Sequence, residues 1–247
     1  FDEIKDDTEY IILGINPSNS YNQLIKVLKK AEKDQYKLIV QDLKLKKEEL
    51  QEKTKNLVNK IEDGYYVDYQ RNYDDFLQNK DNKDEILFLQ KIAHEYHDHF
   101  KKHKILADAL QVKKYQFMDL FPIWRVKQRS FLNDLKGKGL KGFKDEILMA
   151  FNSLISRKKN VKGLLFFNKK AGELFLKCND TKEFKIEPIT VTYQLKGEQK
   201  TINSEVNKHE LKIDKRKISV LVFPIGNYTY KNESALIDLG IKAKEKI

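Results

Sequence analysis

Four short apolar runs, widely spaced along the 247 residues, set the terms for any fold this chain can adopt. They are Tyr10–Leu13, Tyr115–Leu120, Val161–Phe167 and Ile218–Phe223. Runs of this length, rich in aromatic and branched residues and bounded by turn residues, read as strands. The third and fourth do not alternate apolar with polar residues, so both of their faces must be covered. The segments between them carry a different period. Leu24, Val27, Leu28 and Ala31 recur on one face of residues 21–33, and Ile147, Leu148, Phe151 and Leu154 on one face of 145–156. Buried strands separated by amphipathic helices build a parallel α/β sheet. Tyr10–Leu13, Tyr115–Asp119, Leu164–Phe167 and Val220–Phe223 are therefore expected in one sheet, ending on the same side.

A chain of this length suits one large domain, here 1–247, carrying an insertion. Residues 28–80 read as that insertion, mostly helical. Within it Leu43, Leu50 and Leu57 stand seven apart, joined by Thr54 and Ile61. Such a narrow seam on 41–62 suits an antiparallel helical hairpin, a partner protein's helix or self-association. Residues 184–213 alternate apolar and polar side chains through Ile186, Ile189, Val191, Tyr193 and Leu195, which predicts an antiparallel excursion. There is no apolar run near membrane-spanning length and no signal-peptide pattern, so no membrane association is expected. The single cysteine, Cys178, fits a reducing, cytoplasmic setting.

The net charge of +11 is unevenly spread. Residues 1–100 hold 16 basic and 21 acidic residues, a net of −5, and residues 101–247 hold 32 and 16, a net of +16. Lysine dominates, with only five arginines against 43 lysines, and compositional bias explains lysines everywhere but not their concentration in one part. A nucleic acid or another polyanionic partner would account for the asymmetry. Its centre is the stretch after the second strand, where Arg125, Lys127, Arg129, Lys136, Lys138, Lys141 and Lys144 face one nearby acid, Asp134. Neither Lys138 nor Lys141 is followed by Ser or Thr, so this is no phosphate-binding P-loop. It reads either as a loop that holds backbone phosphates or as a lysine-rich solvated surface.

Ligands of open α/β sheets bind outside the carboxyl ends of the strands. At the first such end stand Gly14, Ile15, Asn16 and Pro17. Gly14 permits close backbone approach, and Pro17 restricts Asn16 to extended geometry, holding its carboxamide stiffly. Asn16 can alternatively cap the following helix, and Tyr21 can stack on a ligand or simply pack. Asp119, Asn168, Asn227 and Tyr228 occupy the other strand ends, each open to a cap or turn reading as well as a binding one. The run HEYHDHFKKH lies in what reads as one long helix, Ile86–Leu110. There His94 and His97 fall on one side and His99 and His103 nearly opposite, so no metal site is expected.

The segments YIILGINPS, FMDLFPIW, KGLLFFNKKAGELF and VLVFPIGNYTY, in that order, resemble the four motifs of the uracil-DNA glycosylase superfamily, the first being closest to the GINP turn of its mismatch-specific branch. The resemblance implies a three-layer α/β/α sandwich around a central, mainly parallel sheet. It implies hydrolysis of the N-glycosidic bond of a flipped, damaged or modified base in DNA, without metal or organic cofactor. Asn16 would then orient the attacking water. Gly14, Pro17, Tyr21, Asp119 and Asn168 would line the substrate site, and Phe223, Asn227 and Tyr228 would probe the DNA groove. Arg125, Lys127, Arg129, Lys136, Lys138 and Lys141 would hold phosphates. Two positions depart from the family. Phe223 stands where its members place His or Asn before the proline, removing a stabiliser of the departing base. Asp119 stands in place of the usual Asn, and an acceptor-only carboxylate favours exocyclic amino groups over uracil's carbonyls. A non-catalytic nucleic-acid-binding or partner-recruiting protein on the same scaffold is the competing expectation.

Overall fold

The computed structural model describes residues 4–14, 21–39, 45–62, 80–120, 141–223 and 232–246. They fall into two compact units. One comprises the described residues before 15 and after 101, and the other those from 21 to 101.

The first unit is α/β. Its strands are β1 (Tyr10–Gly14), β2 (Tyr115–Asp119), β3 (Gly163–Phe166), β4 (Thr181–Phe184), β5 (Ile189–Leu195), β6 (Glu198–Ser204), β7 (Asn207–Ile213) and β8 (Arg216–Val222). Six of them form one sheet in the order β2-β1-β3-β8-β7-β4. The pairs β1/β2, β1/β3 and β3/β8 are parallel, and β7/β8 and β4/β7 are antiparallel, so the sheet is mixed but parallel through its first four strands. These four are the four apolar runs of the sequence. β5 and β6 pair antiparallel as a separate hairpin within the 184–213 segment. Its turn places Lys196 and Gly197 at φ 52° and 85°, the left-handed pair that a two-residue hairpin turn requires.

Alternation along the strands sends side chains to opposite faces. Ile11, Leu13, Leu164, Phe166, Val220 and Val222 enter one core with Leu148, Phe151 and Ile155 of α5 (Lys141–Arg157) and Ala171 and Phe175 of α6 (Lys169–Leu176). Ile12, Leu165 and Leu221 enter the other, with Leu106 and Ala107 of α4 (Asp98–Ala109), Leu110 just after it, and Ala235, Leu239 and Ala243 of α7 (Glu233–Lys246). Ile189, Val191 and Tyr193 of the hairpin join this second core. Both faces are thus covered, which is why β3 is buried at every position.

At the amino end of the parallel strands, ion pairs tie the chain together. Glu9 meets Lys162 at 2.7 Å and Lys114 at 3.4 Å, and Asp6 meets Lys158 at 2.8 Å. The Lys162 hydrogen bond, ahead of the weaker pull of Lys114, holds the Glu9 carboxyl below its ordinary range. Arg216 donates to the carbonyls of Ile155, Ser156 and Lys158, closing the carboxyl end of α5.

The second unit is helical, built on α1 (Tyr21–Lys33), α2 (Lys47–Glu62) and α3 (Lys80–Tyr96). Its core holds Val27, Leu28, Ala31, Leu50, Leu57, Phe88, Leu89 and Ile92. Leu50, Thr54 and Leu57 of the seven-residue seam lie buried inside this unit. Tyr36 follows α1 in the left-handed region, φ 56°, and its amide donates to the Ala31 carbonyl while its hydroxyl donates to Thr54 Oγ1 at 2.9 Å. The single helix expected over 86–110 is two. His97 separates α3 from α4, and its Nδ1 accepts the His99 amide at 3.0 Å, doing the work of an N-cap that apolar periodicity does not reveal.

Candidate functional site at the carboxyl ends of the parallel strands

Parallel register brings four strand ends level. Gly14 pairs with Asp119, while Leu13 pairs with Phe166 and Phe166 with Val222. Two backbone bonds extend this beyond the last pairs: Leu120 N–H donates to the Gly14 carbonyl at 3.0 Å, and Phe223 N–H to the Phe166 carbonyl at 2.8 Å. Ile12, Phe117, Leu165 and Leu221 form one row across the strands on the face covered by α4 and α7. Two residues further on, the same face ends in Asp119, Gly14, Phe167 and Phe223.

This terminal row has an acidic end and an aromatic end. A β-carbon at Gly14 would lie only 2.2 Å from Asp119 Oδ1, far inside van der Waals contact. The half-buried carboxylate of the outer strand therefore folds inward over the backbone of β1, and only glycine at position 14 allows it to do so. Across the row, the rings of Phe167 and Phe223 meet edge to face with centroids 5.4 Å apart. Behind them His103 of α4 is buried, its ring 5.1 Å from Phe167 and 6.1 Å from Phe117.

Four expected site residues, Gly14, Asp119, Asn168 and Phe223, have described side-chain positions. Gly14 and Asp119 come together as described. Asn168 is the N-cap of α6, its side-chain oxygen accepting from Lys170 N–H at 3.0 Å and Ala171 N–H at 3.2 Å, so that oxygen is committed to the helix. Phe223 requires a correction. It is wholly buried against Phe167, because its position in β8's alternation points it into the core, and a side chain without exposure cannot probe a DNA groove. Tyr21 and Lys141 are the first residues of α1 and α5. Asn16, Pro17, Arg125, Lys127, Arg129, Lys136, Lys138, Asn227 and Tyr228 lie outside the described residues.

His103 and Phe167 were not among the expected site residues. For His103 the signal was present: with Leu106, Ala107 and Leu110 it makes the i, i+3, i+4, i+7 spacing of a buried helix face. His94, His97 and His99 instead gather around the Phe100 ring, at 4.5, 6.2 and 5.5 Å. Among the described residues no group of three or more His, Cys, Asp or Glu side chains is placed to hold a metal ion. No described helix is long and apolar enough to cross a membrane.

No family model, curated protein or solved structure matches the chain. The row Asp119, Gly14, Phe167 and Phe223 sets a carboxylate over the half-buried Gly14 backbone, with two core-buried rings at its other end, at the sheet end where α/β proteins bind ligands.

Proposed function

We propose that the chain is a glycosylase-like hydrolase of the uracil-DNA glycosylase type, with the corresponding three-layer sandwich, acting on a flipped base in DNA. The observation that carries the reading is the Asp119 carboxylate lying over Gly14, immediately before Asn16 and Pro17 in sequence. Extrusion delivers a base to the strand ends, where the duplex no longer shields it. The Asn16 carboxamide orients a water toward the anomeric carbon as the bond to the base breaks. Asp119 accepts hydrogen bonds from the base, and Arg125, Lys127, Arg129, Lys136, Lys138 and Lys141 hold phosphates. No metal or organic cofactor enters this scheme, and the setting is a reducing cytoplasm.

The buried, apolar Phe223 favours a second reading, a non-catalytic DNA-binding protein, because it leaves the last motif without a polar partner for the departing base. One experiment separates the two. Oligonucleotides carrying modified bases are incubated with the protein, and abasic sites are revealed by alkaline cleavage on a gel. The enzyme reading expects base release that Asn16→Ala lowers about a hundredfold or more with DNA affinity nearly intact. Salt-sensitive DNA binding without release from any substrate replaces it with the second reading. On duplex DNA the log–log salt slope should be about −0.9 per phosphate neutralised, and flatter after joint neutralisation of Lys136, Lys138 and Lys141.

A further inference from the structure

We infer that Asp119 selects bases presenting a guanine-type edge, two adjacent N–H donors, over uracil, hypoxanthine and their relatives. This rests on the reading that a base enters at the carboxyl end of the sheet, and it commits that site to one class of base.

The geometry of the carboxylate carries the argument. Asp119 belongs to β2, at one end of the strand order, and a side chain there can turn outward to solvent. It turns inward, over Gly14, which places an acceptor-only group above the second strand of the parallel set. The register pair Gly14/Asp119 and the Leu120 amide bonded to the Gly14 carbonyl tie that backbone to the strand that carries the carboxylate. The neighbouring end of the row is Phe167 and Phe223, 5 % and 0 % exposed, whose side chains supply no hydrogen-bond donor. Those two rings are sealed in the core, so the polar contact at this strand end is left to the carboxylate, whose charge makes its hydrogen bonds stronger than those of a neutral acceptor.

The donor pattern of each base then decides. A carboxylate offers two parallel oxygens with about four acceptor sites in all, so it can keep a protein contact and still receive two ligand donors. Guanine presents N1–H and the 2-amino group side by side, matching both oxygens. Hypoxanthine has the same ring but lacks the 2-amino donor. Uracil flanks its single N–H with two carbonyl oxygens, which a carboxylate repels. Adenine and cytosine place their amino donor beside a ring-nitrogen acceptor. Guanine and its lesions that keep N1–H and the 2-amino group, such as 8-oxoguanine and 7-methylguanine, are the bases that fit.

The test uses the full chain and three soluble probes, 2′-deoxyguanosine, 2′-deoxyinosine and 2′-deoxyuridine, in equilibrium dialysis. Deoxyguanosine should bind about tenfold or more tightly than deoxyinosine, the cost of one lost charge-assisted hydrogen bond. Deoxyuridine should bind still more weakly. The isosteric Asp119→Asn, checked for folding by circular dichroism, should erase the preference for deoxyguanosine over deoxyinosine. Equal binding of the two purines, a preference that survives Asp119→Asn, or no nucleoside binding by the folded protein overturns the inference. The outcomes also separate it from the catalytic reading. A guanine preference without base release from any oligonucleotide keeps the inference and removes the hydrolase. Base release without a guanine preference does the reverse.

Discussion

Replacing Gly14 with alanine tests whether the inward-folded carboxylate is real and what it costs to displace. A methyl group at this position would stand 2.2 Å from Asp119 Oδ1 and 3.4 Å from its Cγ, while the next contact, the Met118 carbonyl, is at a comfortable 3.9 Å. The backbone at Gly14 is not in the left-handed region, so among the described residues the substitution strains only this one side chain. Overpacking of this kind costs about 1–3 kcal/mol. The loss of glycine's freedom in the unfolded chain returns about 0.4–1 kcal/mol. Gly14→Ala should therefore destabilise the parent by about 0.5–2 kcal/mol. In an Asp119→Ala background the clash is gone, and the same change should be neutral or stabilising by up to about 1 kcal/mol. The coupling, read from urea unfolding of the four proteins followed by circular dichroism, is expected to be about 1–3 kcal/mol. Exchange of the Leu120 amide, which donates to the Gly14 carbonyl, gives a local readout of the same strand end. Additivity of the two changes within about 0.5 kcal/mol would refute the reasoning, since it would mean that the carboxylate does not occupy the space above Gly14.

Two further expectations follow from the same framework. Arg216→Met keeps an aliphatic stem but removes the donors to the Ile155, Ser156 and Lys158 carbonyls, and should cost about 1.5–3 kcal/mol in urea unfolding; a loss below about 0.5 kcal/mol would make that contact incidental. Burial pushes the His97 imidazole below its ordinary range, with Lys30 adding to the effect and Asp98 opposing it, and its Nδ1 is engaged as an acceptor. A histidine with a depressed folded pKa is favoured neutral, so its contribution is complete above about 6.5 and is lost as pH falls through that value. His97→Asn, which retains a capping acceptor, should flatten the decline in stability between pH 7 and 5, and a proton NMR titration placing the imidazole midpoint at or above 6.5 would contradict the assignment.

β1, β3 and β8 were legible because each is a short, nearly uninterrupted apolar run, and such a run has no alternative but the middle of a covered sheet; β2, interrupted by Gln116 and Asp119, stands at the end of the strand order with only Met118 of its residues buried. The faces of α1 and α5 were legible for the related reason that apolar residues at helical spacing must find a core. Where two interactions compete locally, periodicity says less: His97 interrupts a helical pattern through a single side-chain-to-backbone hydrogen bond, and nothing in the spacing of Ile86–Leu110 encodes it. Leu50, Thr54 and Leu57 form a visible seam, yet only the packed helices show that it is used inside the unit. Asp119 and Gly14 stand 105 residues apart, and each is recognisable alone as a strand-end residue. The sequence by itself determined which residues stand at the ends of strands and that some of them are polar. Tertiary structure decided that Phe223 points into the core and that Asp119 folds over Gly14, because both depend on strand register and on a steric vacancy at a neighbour that is distant along the chain.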